Sequence, residues 1–171
     1  MYFAGDGAVQ AKDGYFRILG RVDDVINVAG HRLGTKELES AALVCPEVAE
    51  AAVVPVVDEA RGRVPEVYVA LKPGIQPSER IEKDVVKQIE TLIGKIARPK
   101  SVRIVPDMPK TRSGKIMRRV LAAISNRMPV GDVTTLANPE VVEQIRVMVQ
   151  GAGPVETVTN VADDIKKFGQ E

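Results

Sequence analysis

Residues 48–71 read VAEAAVVPVVDEARGRVPEVYVAL, and this stretch decides the fold. Val48 to Val57 is a valine- and alanine-rich run of strand length. Val64 to Leu71 is a second strand, in which Val67, Val69 and Leu71 alternate with other residues at period two. Downstream, Pro77-Ser78 opens the longest helix, with Ile81, Val85, Ile89 and Leu92 at helical spacing and Gly94 just past its end. Val102 to Val105 is a short strand, and Pro106 to Gly114 is a loop rich in proline and small polar residues. A helix follows from Ile116 to Arg127, with Ile116, Val120, Leu121 and Ile124 apolar and Arg118, Arg119 and Arg127 solvated. Asn138-Pro139 starts a last helix that reaches about Gln150, and Gly151 to Glu171 reads as linker or tail.

Upstream, Ala8 to Gln10 and Tyr15 to Leu19 read as strands joined by the turn signal Lys12-Asp13-Gly14. Val25 to Val28 is a short β-branched stretch that must turn at Ala29-Gly30. Thr35 is the expected N-cap of a helix from about Lys36 to Val44, whose apolar face is Leu38, Ala41 and Ala42. Glu37 and Glu39 lie where its dipole favours acids. Strands and helices intermix, so the predicted class is α+β: a small mixed β-sheet packed with helices.

The 171 residues suit one compact domain with tails, and the 44% apolar and 27% charged content is that of a soluble globular protein. A formal net charge of +1 gives no general reason to bind nucleic acid or an anionic membrane. No apolar run approaches the roughly 20 residues of a membrane span. The start, MYFAGDGAVQ, lacks a signal peptide's basic and apolar regions, and Met1 reads as an internal methionine or the start of a fragment. Cys45 is the only cysteine, which fits a reducing, cytoplasmic compartment and a buried apolar role. His31 is the only histidine, so histidine-based catalysis and multi-histidine metal sites depend on it or are absent.

Four clusters carry candidate chemistry. In Gly5-Asp6-Gly7 the open carboxylate suits either vicinal ribose hydroxyls or a plain turn. Gly20-Arg21-Val22-Asp23-Asp24 places Arg21 after a strand and two acids in a connector. Ala29-Gly30-His31-Arg32-Leu33-Gly34 combines close backbone approach with a phosphate-binding guanidinium, and equally describes a strand-to-helix turn. Pro109-Lys110-Thr111-Arg112-Ser113-Gly114-Lys115 puts three cations on a flexible loop. It lacks the upstream glycine of a Walker motif, and isoleucine follows the lysine. Either a solvated basic loop or a mobile ammonium for a developing anion fits.

In order and spacing, GDGA (5–8), GYFRILGRVDDVINVAGHRLGTKELE (14–39), PKTRSGKIMRR (109–119) and GDVTTLANPEVV (131–142) resemble the end of AMP-forming acyl-CoA synthetases of the acetyl-CoA synthetase type. The similarity covers roughly residues 2 to 149. It implies two half-reactions: a carboxylate attacks Mg-ATP to give acyl-AMP and pyrophosphate, then coenzyme A takes the acyl group and AMP leaves. The resemblance implies acetate as the acid, with propionate or 3-hydroxypropionate, within a larger fused synthase, as the alternative. It assigns residues 1–22 to the end of the adenylation domain, 23–128 to the mobile C-terminal domain, 129–150 to a helical extension and 151–171 to a tail.

By the same resemblance Asp6 and Arg21 hold the ribose, Asp23 is the hinge and Arg32 meets nucleotide phosphate. Gly30, with Ala29 beside it, borders the coenzyme A tunnel. Lys115 is the catalytic lysine of adenylation and a site for a lysine acetyltransferase and deacetylase. Ala29 replaces a serine common in the family, and Glu90 stands where an arginine commonly contacts the 3′-phosphate of coenzyme A. No Gly/Ser/Thr-rich ATP loop, acyl pocket or adenine segment is found, so Mg2+ and the acid belong mainly to the N-terminal adenylation domain, and the fragment alone is expected to be inactive. The alternative is a stand-alone coenzyme A-binding or acetylation-regulated module.

Overall fold

The structure, a computed structural model, describes residues 6–10, 14–21 and 24–151. Two strands, β1 (Asp6–Gln10) and β2 (Phe16–Arg21), form an antiparallel pair of their own. The larger sheet is built from β3 (Val25–Val28), β4 (His31–Gly34), β5 (Val48–Asp58), β6 (Gly62–Leu71) and β7 (Val102–Val105). Its spatial order is β4-β3-β6-β5. One edge of β6 pairs antiparallel with β5 from Val48↔Leu71 to Asp58↔Gly62. The other is shared: β3 meets it at Val28↔Gly62, and β7 runs parallel to it from Val67↔Val102 to Ala70↔Val105. The sheet is therefore mixed, as expected.

The valine-rich runs are buried because helices cover both faces. Helices α1 (Thr35–Ala42) and α2 (Glu79–Leu92) put Leu38, Ala41, Ile81, Val85 and Ile89 against Val53, Val67 and Val69. Helices α3 (Arg118–Ser125) and α4 (Pro139–Gln150) put Leu121, Ile124, Val142 and Ile145 against Ala52, Val54, Tyr68 and Ala70. Period-two alternation along β5 and β6 thus sorts side chains between two cores. Cys45 lies in the first core, where burial pushes its thiol pKa up; it is the buried apolar residue its setting suggested.

Strand β5 is an edge, and two side chains close it. Glu39 accepts the Val53 N–H at 3.0 Å. Asn126 accepts the Val57 N–H at 3.0 Å and donates to the Pro55 carbonyl at 3.0 Å. These bonds occupy the edge from Val53 to Val57 and leave less of its ladder open to a second chain.

Three expectations are corrected. His31–Gly34 is a strand, not part of a strand-to-helix turn, because His31, Arg32 and Leu33 fold back on Val28, Asn27 and Ile26. The helix before Arg127 starts at Arg118 rather than Ile116, because Ile116 pairs back with Lys110. Thr35 is not the cap: Gly34 holds that position, and the Thr35 side chain turns inward, 1% exposed, with no partner for its hydroxyl. A buried hydroxyl without a partner costs roughly 1–3 kcal/mol. Thr35→Val, which keeps the shape and removes the hydroxyl, is therefore expected to raise stability by about 1 kcal/mol. Urea unfolding at equilibrium checks this; a loss of stability would mean that the hydroxyl is satisfied.

Candidate functional site

The Gly30 cluster forms the tip of the β3–β4 hairpin. Ala29 at φ 47° and Gly30 at φ 86° both occupy the left-handed region, the requirement of a type I′ two-residue turn. Gly30 supplies this at no steric cost, whereas Ala29 holds a conformation that a Cβ disfavours. A Cβ at Gly30 would meet nothing within 4 Å, so the turn is open to a ligand. Ala29 donates its N–H to the Arg61 carbonyl at 3.2 Å, which fixes the tip beside the β5–β6 connection. His31 and Arg32 are exposed.

The Lys115 cluster is a second hairpin. Thr111 donates its N–H to the Lys115 carbonyl, and Gly114 donates to the Thr111 carbonyl, both at 2.8 Å. Gly114 at φ 82° closes a three-residue loop of Arg112, Ser113 and Gly114. Met117 donates to Pro109 at 2.8 Å at the base. The segment expected as a flexible loop is closed by these bonds into a hairpin, and the exposed side chains of Arg112 and Lys115 make no ion pair among the described residues.

Lys110, one of the three cations of this segment, is held by two acids. Its ammonium lies 2.7 Å from Glu50 and 3.1 Å from Asp107. Asn138, just before α4, accepts the Lys110 N–H at 3.0 Å and donates to Asp107 at 3.2 Å and to the Met108 carbonyl at 2.8 Å. Ala137 adds an N–H to the Lys110 carbonyl at 2.8 Å. The 131–142 segment thus holds the hairpin to the sheet.

The two hairpins lie at opposite ends of β6. Gly30 is beside Arg61 and Gly62, while Lys110 joins Glu50, the cross-strand partner of Ala70. Eight residue steps of about 3.3 Å separate the levels of Gly62 and Ala70, roughly 26 Å. The structure therefore does not bring Arg32 and Lys115 together. Asp6 and Arg21 are directly opposed in the backbone register of β1 and β2. Asp23 lies outside the described residues.

Two residues escaped sequence reasoning. Arg118, read as solvated, is half-buried and grips Glu39 with two parallel bonds of 2.7 Å. Glu39, read as a dipole acid, is 8% exposed. Nothing local signals a pair 79 residues apart. Glu90, which the resemblance aligned with an arginine, pairs with Arg98 at 2.8 Å. Its groove of about 610 Å³ between α2 and β7 also carries Lys83, Lys87 and Arg103.

Residues 37–115 match the family described as the AMP-binding enzyme C-terminal domain. The matched stretch is 79 of the 171 residues and runs from α1 to the Lys115 hairpin. It is 52% identical over 148 residues to an acetyl-coenzyme A synthetase of Methanothrix thermoacetophila, covering 86% of this chain and 22% of that protein. With an acetyl-coenzyme A synthetase of Rhodobacter capsulatus the identity is 53% over 146 residues, covering 84% of this chain and 22% of that protein. Among solved structures, the anthranilate CoA ligase AuaEII in complex with anthranoyl-AMP superposes with a TM-score of 0.61 at 31% identity, covering 72% of this chain and 24% of that one. The chain thus spans about a fifth of the length of the curated relatives it matches.

Among the described residues no group of three or more His, Cys, Asp or Glu side chains could hold a metal ion. No helix among them is long and apolar enough to cross a membrane.

The brace has a pH signature. Burial raises the Asp107 pKa, but the Met108 amide and Lys110 together hold it below its ordinary 3.8. A depressed carboxyl contributes stability that is present above the ordinary value and lost as pH falls through the lower folded value. The protein should be more stable than Asp107→Asn at pH 6, with the gap closing below pH 3.8. Thermal unfolding of both from pH 6 to pH 3 measures it; a gap independent of pH would show that the carboxylate charge is not used.

Proposed function

We propose that this chain is the C-terminal part of an AMP-forming acid–CoA ligase that activates acetate, with Lys115 as the catalytic cation of the first half-reaction. In that step an acetate oxygen bonds to the α-phosphorus of ATP, the bond to the bridging oxygen breaks, and pyrophosphate leaves. In the second, the coenzyme A thiol gives up its proton to solvent, its sulfur bonds to the acyl carbon, the bond from that carbon to the phosphate oxygen breaks, and AMP leaves with that oxygen and the bonding electrons. ATP, coenzyme A, Mg2+ and the acid are held largely by the preceding adenylation domain; Mg2+ there would offset phosphate charge.

The observation that carries this reading is the separation of the two hairpins along one sheet. The hairpin that carries the exposed Lys115 has its base, Lys110, at the Glu50–Ala70 level, and the open Ala29-Gly30 turn lies at the Gly62 end. One rigid body with tools at opposite ends serves one reaction centre only by turning between steps. Lys115 on its braced hairpin suits charge that develops on a pentacoordinate phosphorus. The open turn, with Arg32 two residues on, suits passage of a slender thiol arm and contact with phosphate. The opposed Asp6 and Arg21 suit the ribose hydroxyls, and Asp23 the pivot. The same exposure makes Lys115 accessible to a lysine acetyltransferase, which would remove its charge. Acetate rather than propionate is favoured by the names of the relatives.

In the complete enzyme, Lys115→Ala should lower acetate-dependent pyrophosphate exchange by about 10²–10³-fold, the usual loss when one such charge contact is removed. Thioester formation from supplied acetyl-adenylate should persist. Measured separately, equal loss in both half-reactions, or in neither, would overturn the assignment.

A further inference from the structure

We propose that the Glu39–Arg118 ion pair is a positioning strut for the Lys115 hairpin, an inference that rests on reading Lys115 as the adenylation cation. Arg118 opens α3 three residues after Lys115, directly beyond the bond from Met117 to Pro109 that closes the hairpin. Its position is unfavourable for a cation, because the N-terminus of a helix carries partial positive charge. Arg118 and Arg119 both stand in the first turn of α3, and no acid does.

Glu39 offsets this from another part of the fold. Its two carboxylate oxygens take the Nε and Nη2 of Arg118 at 2.7 Å each, and Oε1 also takes the Val53 N–H at 3.0 Å. One carboxylate therefore ties α1, β5 and α3 together. Helices α1 and α3 lie on opposite faces of the sheet, so the pair bridges them around the β5 edge. A planar guanidinium held by two bonds fixes direction as well as distance. The strut thus aims α3, and with it the hairpin that ends at Ile116. Beside it a groove of about 510 Å³ is lined by Asp24, Val53, Pro55, Ile116 and Arg118, so the strut faces the start of the domain as well. Asp24 is a second acid acting on Arg118 there, weaker than Glu39.

The test uses the complete enzyme with Arg118→Lys, Glu39→Gln and Lys115→Ala side by side. Arg118→Lys keeps the charge and loses the two-pronged grip. For both strut variants, kcat of acetate-dependent pyrophosphate exchange should fall at least about tenfold, since a misplacement near 1 Å can cost far more. KM for ATP and the rate of thioester formation from supplied acetyl-adenylate should stay within about twofold. A merely structural pair would lower both half-reactions together, in proportion to the folded fraction. That outcome, or no loss in either, overturns the strut. If Lys115→Ala abolishes exchange while the strut variants do not, the strut fails and the functional reading stands. If Lys115→Ala leaves exchange intact, the functional reading itself fails. Should Glu39→Gln not fold, Arg118→Lys decides alone.

Discussion

Everything in this domain hangs on β6. Val64, Val67, Tyr68 and Val69 are fully buried, which demands cover on both faces and partners on both edges. Two pairs of helices supply the cover, and β5, β3 and β7 supply the partners. A strand so enclosed is stiff, and its ends are therefore fixed points. One end carries the Ala29-Gly30 turn and the other the Lys115 hairpin, so the separation of the two candidate tools follows from the burial of one strand.

Polar groups complete the same logic. Glu66 is 3% exposed within β6 and accepts hydrogen bonds from Ser101 and from Arg103 at 3.0 Å, linking β6 to β7. The Tyr68 hydroxyl meets Ser125 at 2.6 Å and so ties β6 to α3; burial is the main reason its phenol is held above the ordinary range. Glu39 and Asn126 satisfy the free edge of β5 from Val53 to Val57. Buried charges are tolerable because each is multiply bonded, and those bonds set the angle between helices that side-chain packing alone would leave looser.

Much of this was legible in the sequence. Valine runs, the helical spacing of Ile81, Val85 and Ile89, and Pro139 at the start of a helix depend on local pattern, and the elements fall where the pattern puts them. Val102–Val105 was read to the residue. The failures turn on contacts that apolar spacing and residue type do not encode, one of them with a partner 79 residues away. Thr35 looked like a cap until Gly34 took the position and buried it. Ile116 looked helical because its apolar spacing fits, but its pairing with Lys110 wins. Arg118 looked solvated because its acid lies in α1. The Gly30 and Lys115 clusters were visible as motifs; their placement at opposite ends needed the sheet topology.

The central claim is that the two hairpins are held at one fixed separation. Spin labels at His31 and Ser113 of the complete enzyme read it directly, since both positions are exposed and Cys45, 2% exposed, is shielded from labelling. Pulsed electron resonance should give one narrow distance of roughly 25 Å or more, the length of sheet between them. That distance should be the same with ATP, with acetyl-adenylate and with coenzyme A. A distribution that splits, or that shortens when either substrate binds, would contradict the account, because the hairpins would then approach one centre by bending the domain rather than by turning it.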